Sequence, residues 1–221
     1  MSIVRMYKVI FLILTVCTLL AGCVSKEETT ERMYQALENV AEAEKEFEEQ
    51  QEPLVELEKQ EKKIYNQIMA LGLKKHVEID QLADEALSII DKRRDYLQNE
   101  ITSINDSKTK FMQVEEIKNE IDDKEQMKKA TELMEIMRNR YGVHNELTKE
   151  YKKALDIDEE LYLMLKNESV PYEELENHVR NLNTIYQKVY DANEKFNSLT
   201  AQYNEKKLEF YEEAGLNLEK P

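Results

Sequence analysis

The feature that most constrains the fold is an apolar stripe near the C-terminus: Tyr172, Leu175, Val179, Leu182, Tyr186, Val189, Phe196, Leu199, Tyr203 and Phe210. Its members are spaced by threes, fours and sevens, so they share one side of a single helix about six heptads long. A strand would need alternation by twos, which is absent here. One helix cannot bury such a stripe against itself, so other long helices must cover it. Asn193 falls inside the seven-residue gap before Phe196 and reads as a polar layer or a register-setting residue.

Three earlier stretches supply matching stripes. Met33, Leu37, Val40 and Phe47 begin the first, which resumes out of phase beyond Pro53 as Leu54, Leu57, Ile64, Ile68 and Leu71. Because proline removes a helical hydrogen bond and crowds the preceding turn, the phase slip predicts a kink or short break at Pro53. Gly72 ends this element. A second stripe runs from Leu82 through Ile90, Leu97, Ile104 and Phe111 to Ile121, across the polar Asn105-Asp106-Ser107. A third includes Met127, Ala130, Met134, Met137, Tyr141, Leu147, Tyr151, Leu155, Leu161 and Leu165, with Gly142 in its middle as a candidate bend or close helix contact. Asp123-x-x-Gln126 is a capping-box-like start signal that places a turn near Asp122. Ser169-Val170-Pro171 opens the last helix.

These boundaries give four helices of roughly 40 to 45 residues, each about 60 Å long. Near-equal helices joined by short turns predict an all-α fold, one elongated up-down-up-down antiparallel bundle with coiled-coil-like seams. If the second helix runs on toward Tyr141, a three-helix, spectrin-like rod replaces it.

Upstream of the helices, Leu20-Ala21-Gly22-Cys23 reads as a bacterial lipobox. Arg5 and Lys8 precede an apolar run from Val9 to Leu20, which has the length of a signal-peptide core and falls short of the roughly 20 residues a membrane helix needs. Small residues before Cys23 suit a signal peptidase, and the thiol is the nucleophile that takes a diacylglyceryl group, with N-acylation as a further step. Cys17 follows Leu14-Thr15-Val16 and fits poorly as acceptor, because branched Val16 sits beside the bond. The organisation expected is a signal peptide over 1–22, a lipidated tether over 23–30 with Thr29 or Thr30 as helix cap, one elongated helical-bundle domain over 31–215, and a tail over 216–221.

Cleavage there leaves one cysteine, so no internal disulfide stabilises the exported chain. The formal net charge of -15 becomes about two units more negative without Arg5 and Lys8. Glu27 to Glu52 alone holds ten glutamates against Arg32 and Lys45. A chain this acidic offers no basic stripe to nucleic acid and disfavours anionic lipid and anionic wall polymers alike.

Groups able to do chemistry are sparse. His76, His144 and His178 are far apart and match no zinc-site spacing; His144, on the core-facing stripe, reads as a hydrogen-bonded structural histidine. Glu120, Asp122, Asp123 and Glu125, and likewise Asp156, Asp158, Glu159 and Glu160, form acidic clusters without EF-hand spacing and read as solvated surface. There is no Gly-rich phosphate loop or nucleophile elbow. The sequence therefore assigns no catalytic and no metal-binding residue. Tyr172, Tyr186 and Tyr203 fall on the last seam and read as core; Tyr190 and Tyr211 fall off it and are the candidate partner-binding residues. The methionines from Met127 to Met137 read as core filling.

Taken together, the lipobox Leu20-Ala21-Gly22-Cys23, the acidic first helix and the Tyr/Leu-rich last helix resemble the YkyA family of cell-wall-binding lipoproteins of Gram-positive bacteria. The resemblance implies placement on the outer face of the cell membrane and contact with the wall, and it implies no catalytic residues. The function expected is that of a non-enzymatic, lipid-anchored rod that binds the cell wall or an envelope protein. An extracytoplasmic holdase whose helices clamp exported clients is the alternative, and a wall hydrolase is a third. Membrane contact is expected through the lipid on Cys23, and no nucleic acid partner or other cofactor is expected. The stripes leave the oligomeric state open.

Overall fold

The computed structural model describes residues 26–72 and 75–216. The lipobox and Cys23 lie outside them. Among the described residues all regular structure is helical, in five segments: α1 (Lys26–Ala43), α2 (Lys45–Leu71), α3 (His76–Lys118), α4 (Lys124–Lys166) and α5 (Tyr172–Glu213). Only Glu44 separates α1 from α2, so the two form one interrupted rod, and the four-rod bundle replaces the three-helix alternative.

The turn near Asp122 is where the capping signal puts it. The Asp123 carboxylate accepts the Glu125 and Gln126 amides at 3.0 and 3.1 Å, which satisfies two of the orphan donors at the start of α4. Gly72 closes α2 at φ 65°, a backbone setting costly for any residue with a Cβ. Pro171 stands one residue before α5 as its cap.

Packing follows chain order: α1 and α2 lie on α3, α3 on α4, and α4 on α5. Arg32 on α1 pairs with Glu120 after α3, and Lys129 on α4 pairs with Glu213 on α5, so these ends share one end of the bundle. At the other end His76 faces Glu168 and Lys166 faces Asp84, bringing the start of α3 beside the end of α4 and the turn that follows it. Helices of 42 or 43 residues make the bundle about 65 Å long. Two apolar clusters fill it. One contains Leu37, Val114, Leu133 and Phe210; the other contains Ile68, Ile90, Leu155 and Leu182. Each side chain buried in full contributes on the order of 1.5–3 kcal/mol.

Three sequence expectations change. The first rod breaks at Glu44, and α2 runs unbroken through Pro53. The cause is Ser103 of α3: its hydroxyl accepts the Phe47 amide at 3.0 Å and donates to the Ala43 carbonyl at 2.7 Å, the two groups that would otherwise bond to each other along the helix. Pro53 is tolerated because Glu49, whose carbonyl loses its amide partner, is exposed to solvent. Second, α1 begins at Lys26, so Thr29 and Thr30 lie buried within a helix that packs on α3 rather than capping it. Third, Gly142 lies in continuous helix with no atom near the position of a Cβ, so it marks neither a break nor a close contact.

Candidate functional site

Charged and polar side chains occupy the middle of the bundle, at positions where the stripes lack an apolar residue. Arg93 follows Ile90 and precedes Leu97; Glu61 lies between Leu57 and Ile64; Asp158 lies between Leu155 and Leu161. All three point inward. Arg93 is 1% exposed, the largest of the fully buried side chains.

Its guanidinium gathers groups from every rod. Nε and Nη2 donate to the Tyr151 hydroxyl at 3.1 and 2.9 Å, and Nη2 also donates to Tyr186 at 3.0 Å and reaches Glu58 at 3.4 Å. Nη1 bonds Glu61 and approaches Asp158 at 3.5 Å. Tyr151 in turn donates to Glu58 at 2.6 Å, and Tyr186 donates to Asp158. One cation therefore serves three carboxylates. Burial raises the Glu61 carboxyl to about 7 against the pull of Arg93, with Asp158 adding repulsion. Burial raises Asp158 as well, against its bonds to Tyr186 and Arg93. Burial also pushes the Tyr151 and Tyr186 phenols up, so both stay protonated and act as donors to carboxylate. For Arg93, burial opposes the charge, but the two hydroxyls and the carboxylates outweigh it.

Two further polar layers continue toward α1. His144 bonds Glu100 at 2.9 Å, both are buried, and the imidazole packs among the Phe47 and Phe196 rings. Arg140 bonds Glu44 at 2.8 Å and Thr200 at 2.7 Å, and lies 4.5 Å over the Phe196 ring. Ser107 joins Glu44 at 2.6 Å and the Tyr141 hydroxyl at 2.7 Å.

A groove of about 810 Å³ opens onto these layers. Its walls are α2 and α5, which stand apart; its floor is α3 and α4. Leu54, Val55, Val179 and Leu182 line apolar stretches, with Tyr65, Tyr186, Tyr190, Glu58, Lys62 and Asn183 among them. The volume is in the range of sites for small molecules.

The sequence candidates fall out unevenly. Tyr190 is 59% exposed and lines the groove. Tyr211 does not share that surface: it is buried, donates to Glu38 at 2.8 Å and meets the Tyr34 ring edge-on at 5.1 Å, because α1 covers that side of α5. Tyr172, assigned to the seam, is 70% exposed at the start of α5. Asp158 departs from its acidic cluster and is buried, while its neighbours Asp156 and Glu159 pair with Arg94 at the surface. In the other cluster Glu120 is engaged by Arg32 and Asp123 by the α4 amides. Among the described residues no group of acidic, histidine or cysteine side chains has the geometry of a metal site. His144 is the hydrogen-bonded core histidine expected.

Comparison with known proteins adds the context. Residues 28–213 match the family model described as "Putative cell-wall binding lipoprotein", YkyA. This chain belongs to the YkyA family. It is 31% identical over 202 residues to the uncharacterized lipoprotein YkyA of Bacillus subtilis (strain 168), an alignment covering 91% of this chain and 90% of that protein. It also resembles a crystal structure of a conserved protein of unknown function from Staphylococcus aureus, with a TM-score of 0.58 at 16% identity, covering 87% of this chain and 99% of that one. That likeness carries the fold alone. Among the described residues no helix is long and apolar enough to cross a membrane.

Proposed function

We propose that this chain is a non-enzymatic, extracytoplasmic rod, tethered to the outer face of the cell membrane by acyl chains on Cys23, that binds the cell wall through the groove between α2 and α5. The observation that carries this reading is the groove itself, polar enough to orient a ligand and apolar enough to desolvate one. The family description supports a wall ligand. Support for a binding rather than a hydrolytic role comes from Arg93. Glu61 and Asp158 both address the same nitrogen and are buried beneath the groove, whereas paired carboxylates of a glycosidase must face each other across the scissile bond. Two or three acyl chains give lasting attachment where one is marginal.

The test is sedimentation of the full chain, purified from membranes in mild detergent, with isolated peptidoglycan, beside turnover measurements on muropeptides. Sedimentation without turnover is expected. Release of fragments would replace binding by hydrolysis. A holdase role is the second reading, favoured by the apolar stretch at Leu54, Val55, Val179 and Leu182. Suppression of client aggregation without sedimentation would select it.

A further inference from the structure

We infer that the α2–α5 groove recognises a primary ammonium group carried on a short peptide, the chemistry of the free amine of a peptidoglycan stem. The inference rests on the wall-binding reading and names its ligand.

Charge complementarity leads to it. Arg93 is the one cation among Glu58, Glu61 and Asp158, and its donors are already directed at protein acceptors. Around the groove four carboxylates, those of Glu58, Glu61, Glu100 and Asp158, face two cations, Arg93 and Lys62, so the site is short of positive charge, and buried charge without a counter-ion is costly. Glu61 answers by holding its proton up to about pH 7. Glu58 has another way out. Its side chain is 41% exposed, against 8% for Glu61 and 5% for Asp158, so its carboxylate is the one a ligand can reach. An ammonium group donates three hydrogen bonds and brings the missing charge. On the opposite wall Tyr190 offers an exposed ring, whose face attracts cations. The same charge balance repels a phosphate, so anionic wall polymers are the wrong ligand for this groove.

The experiment titrates the detergent-purified full chain with two synthetic muramyl peptides containing lysine, one with a free side-chain amine and one N-acetylated, followed by calorimetry. The free amine is expected to bind, and acetylation or Glu58→Gln to weaken binding about tenfold or more, the scale of a charge-assisted hydrogen bond. Tyr190→Ala, on an exposed side chain, should weaken it without shifting the melting temperature. Equal binding of both peptides, or binding of neither, overturns the inference, and wall sedimentation that survives both variants then leaves wall binding standing without it. Amine-selective binding with no wall sedimentation does the reverse: the groove assignment holds and the wall reading falls. Unchanged peptide binding in both variants, with loss of client-aggregation suppression, assigns the groove to polypeptide clients and overturns the inference.

Discussion

The Ser103 hydroxyl of α3 takes the backbone amide of Phe47, at 3.0 Å, out of the helix to which Phe47 belongs. A side chain 56 residues away thus decides where the first rod breaks. Ser103→Ala leaves the half-buried Phe47 amide and the Ala43 carbonyl to find each other or go unpaired. A loss of about 1–3 kcal/mol is expected in urea unfolding, the cost of buried polar groups without partners. An unchanged midpoint would mean that the rod reseals at no cost.

Arg93 is the counter-ion of the whole central layer. Arg93→Met should destabilise the fold by about 3–5 kcal/mol at pH 7.5, because it strands buried carboxylates. The penalty should shrink at pH 5, where the carboxyls take up protons. Denaturant unfolding of wild type and variant at the two pH values measures both.

Glu61 gives a pH signature. Its folded-state carboxyl titrates near 7, above the ordinary 4.5, so the folded chain holds a proton that the unfolded chain has released. The stability this contributes is fully present below about pH 4.5 and is lost as pH rises through about 7. Relative to Glu61→Gln, the wild type should therefore lose stability between pH 5 and 8. A wild-type advantage that grows over that interval would show the Arg93 pair, not burial, in control.

The cap at Asp123 is a local test. Asp123→Ala should cost about 1 kcal/mol, the usual value of an N-cap. The change should appear as a lower melting temperature with membrane retention intact.

Anchoring is tested at the sulfur. Cys23→Ala should shift the chain from the membrane fraction to the soluble or secreted fraction, and mass spectrometry of the wild type should find the acyl groups on the amino-terminal peptide. Firm retention of the variant would remove the anchor from the proposal.

Much of the architecture was legible in the chain. Leu37, Ile68, Ile90, Phe111, Leu155 and Phe210 sit in the core because threes and fours put them there. The turn at Asp123 was written in its capping signal. The site is harder to see, since periodicity marks only the apolar members of a stripe and a charged residue between them has the composition of surface. The signal was nonetheless present: where a stripe skips seven residues, as from Leu57 to Ile64, Ile90 to Leu97 or Ile104 to Phe111, the intervening Glu61, Arg93 and Ser107 occupy the vacant core position. What no spacing encodes is that Glu61 and Arg93 fall at one level of the bundle with Asp158, or that α2 and α5 stand apart there. Pro53 misled for a related reason, because a backbone break can be imposed by a hydroxyl from another helix.

The order of packing has a mechanical consequence. α3 and α4 form a spine, with the first rod on one flank and α5 on the other, and these outer rods meet through side chains where Tyr34 and Glu38 hold Tyr211 and Phe47 touches Phe196. Beyond that junction, toward Tyr65 and Val179, the outer rods are tied across the gap through Arg93, which reaches Glu58 of one and Tyr186 of the other, so a guest that widens the gap loads this polar clasp and leaves the apolar seams on the spine closed.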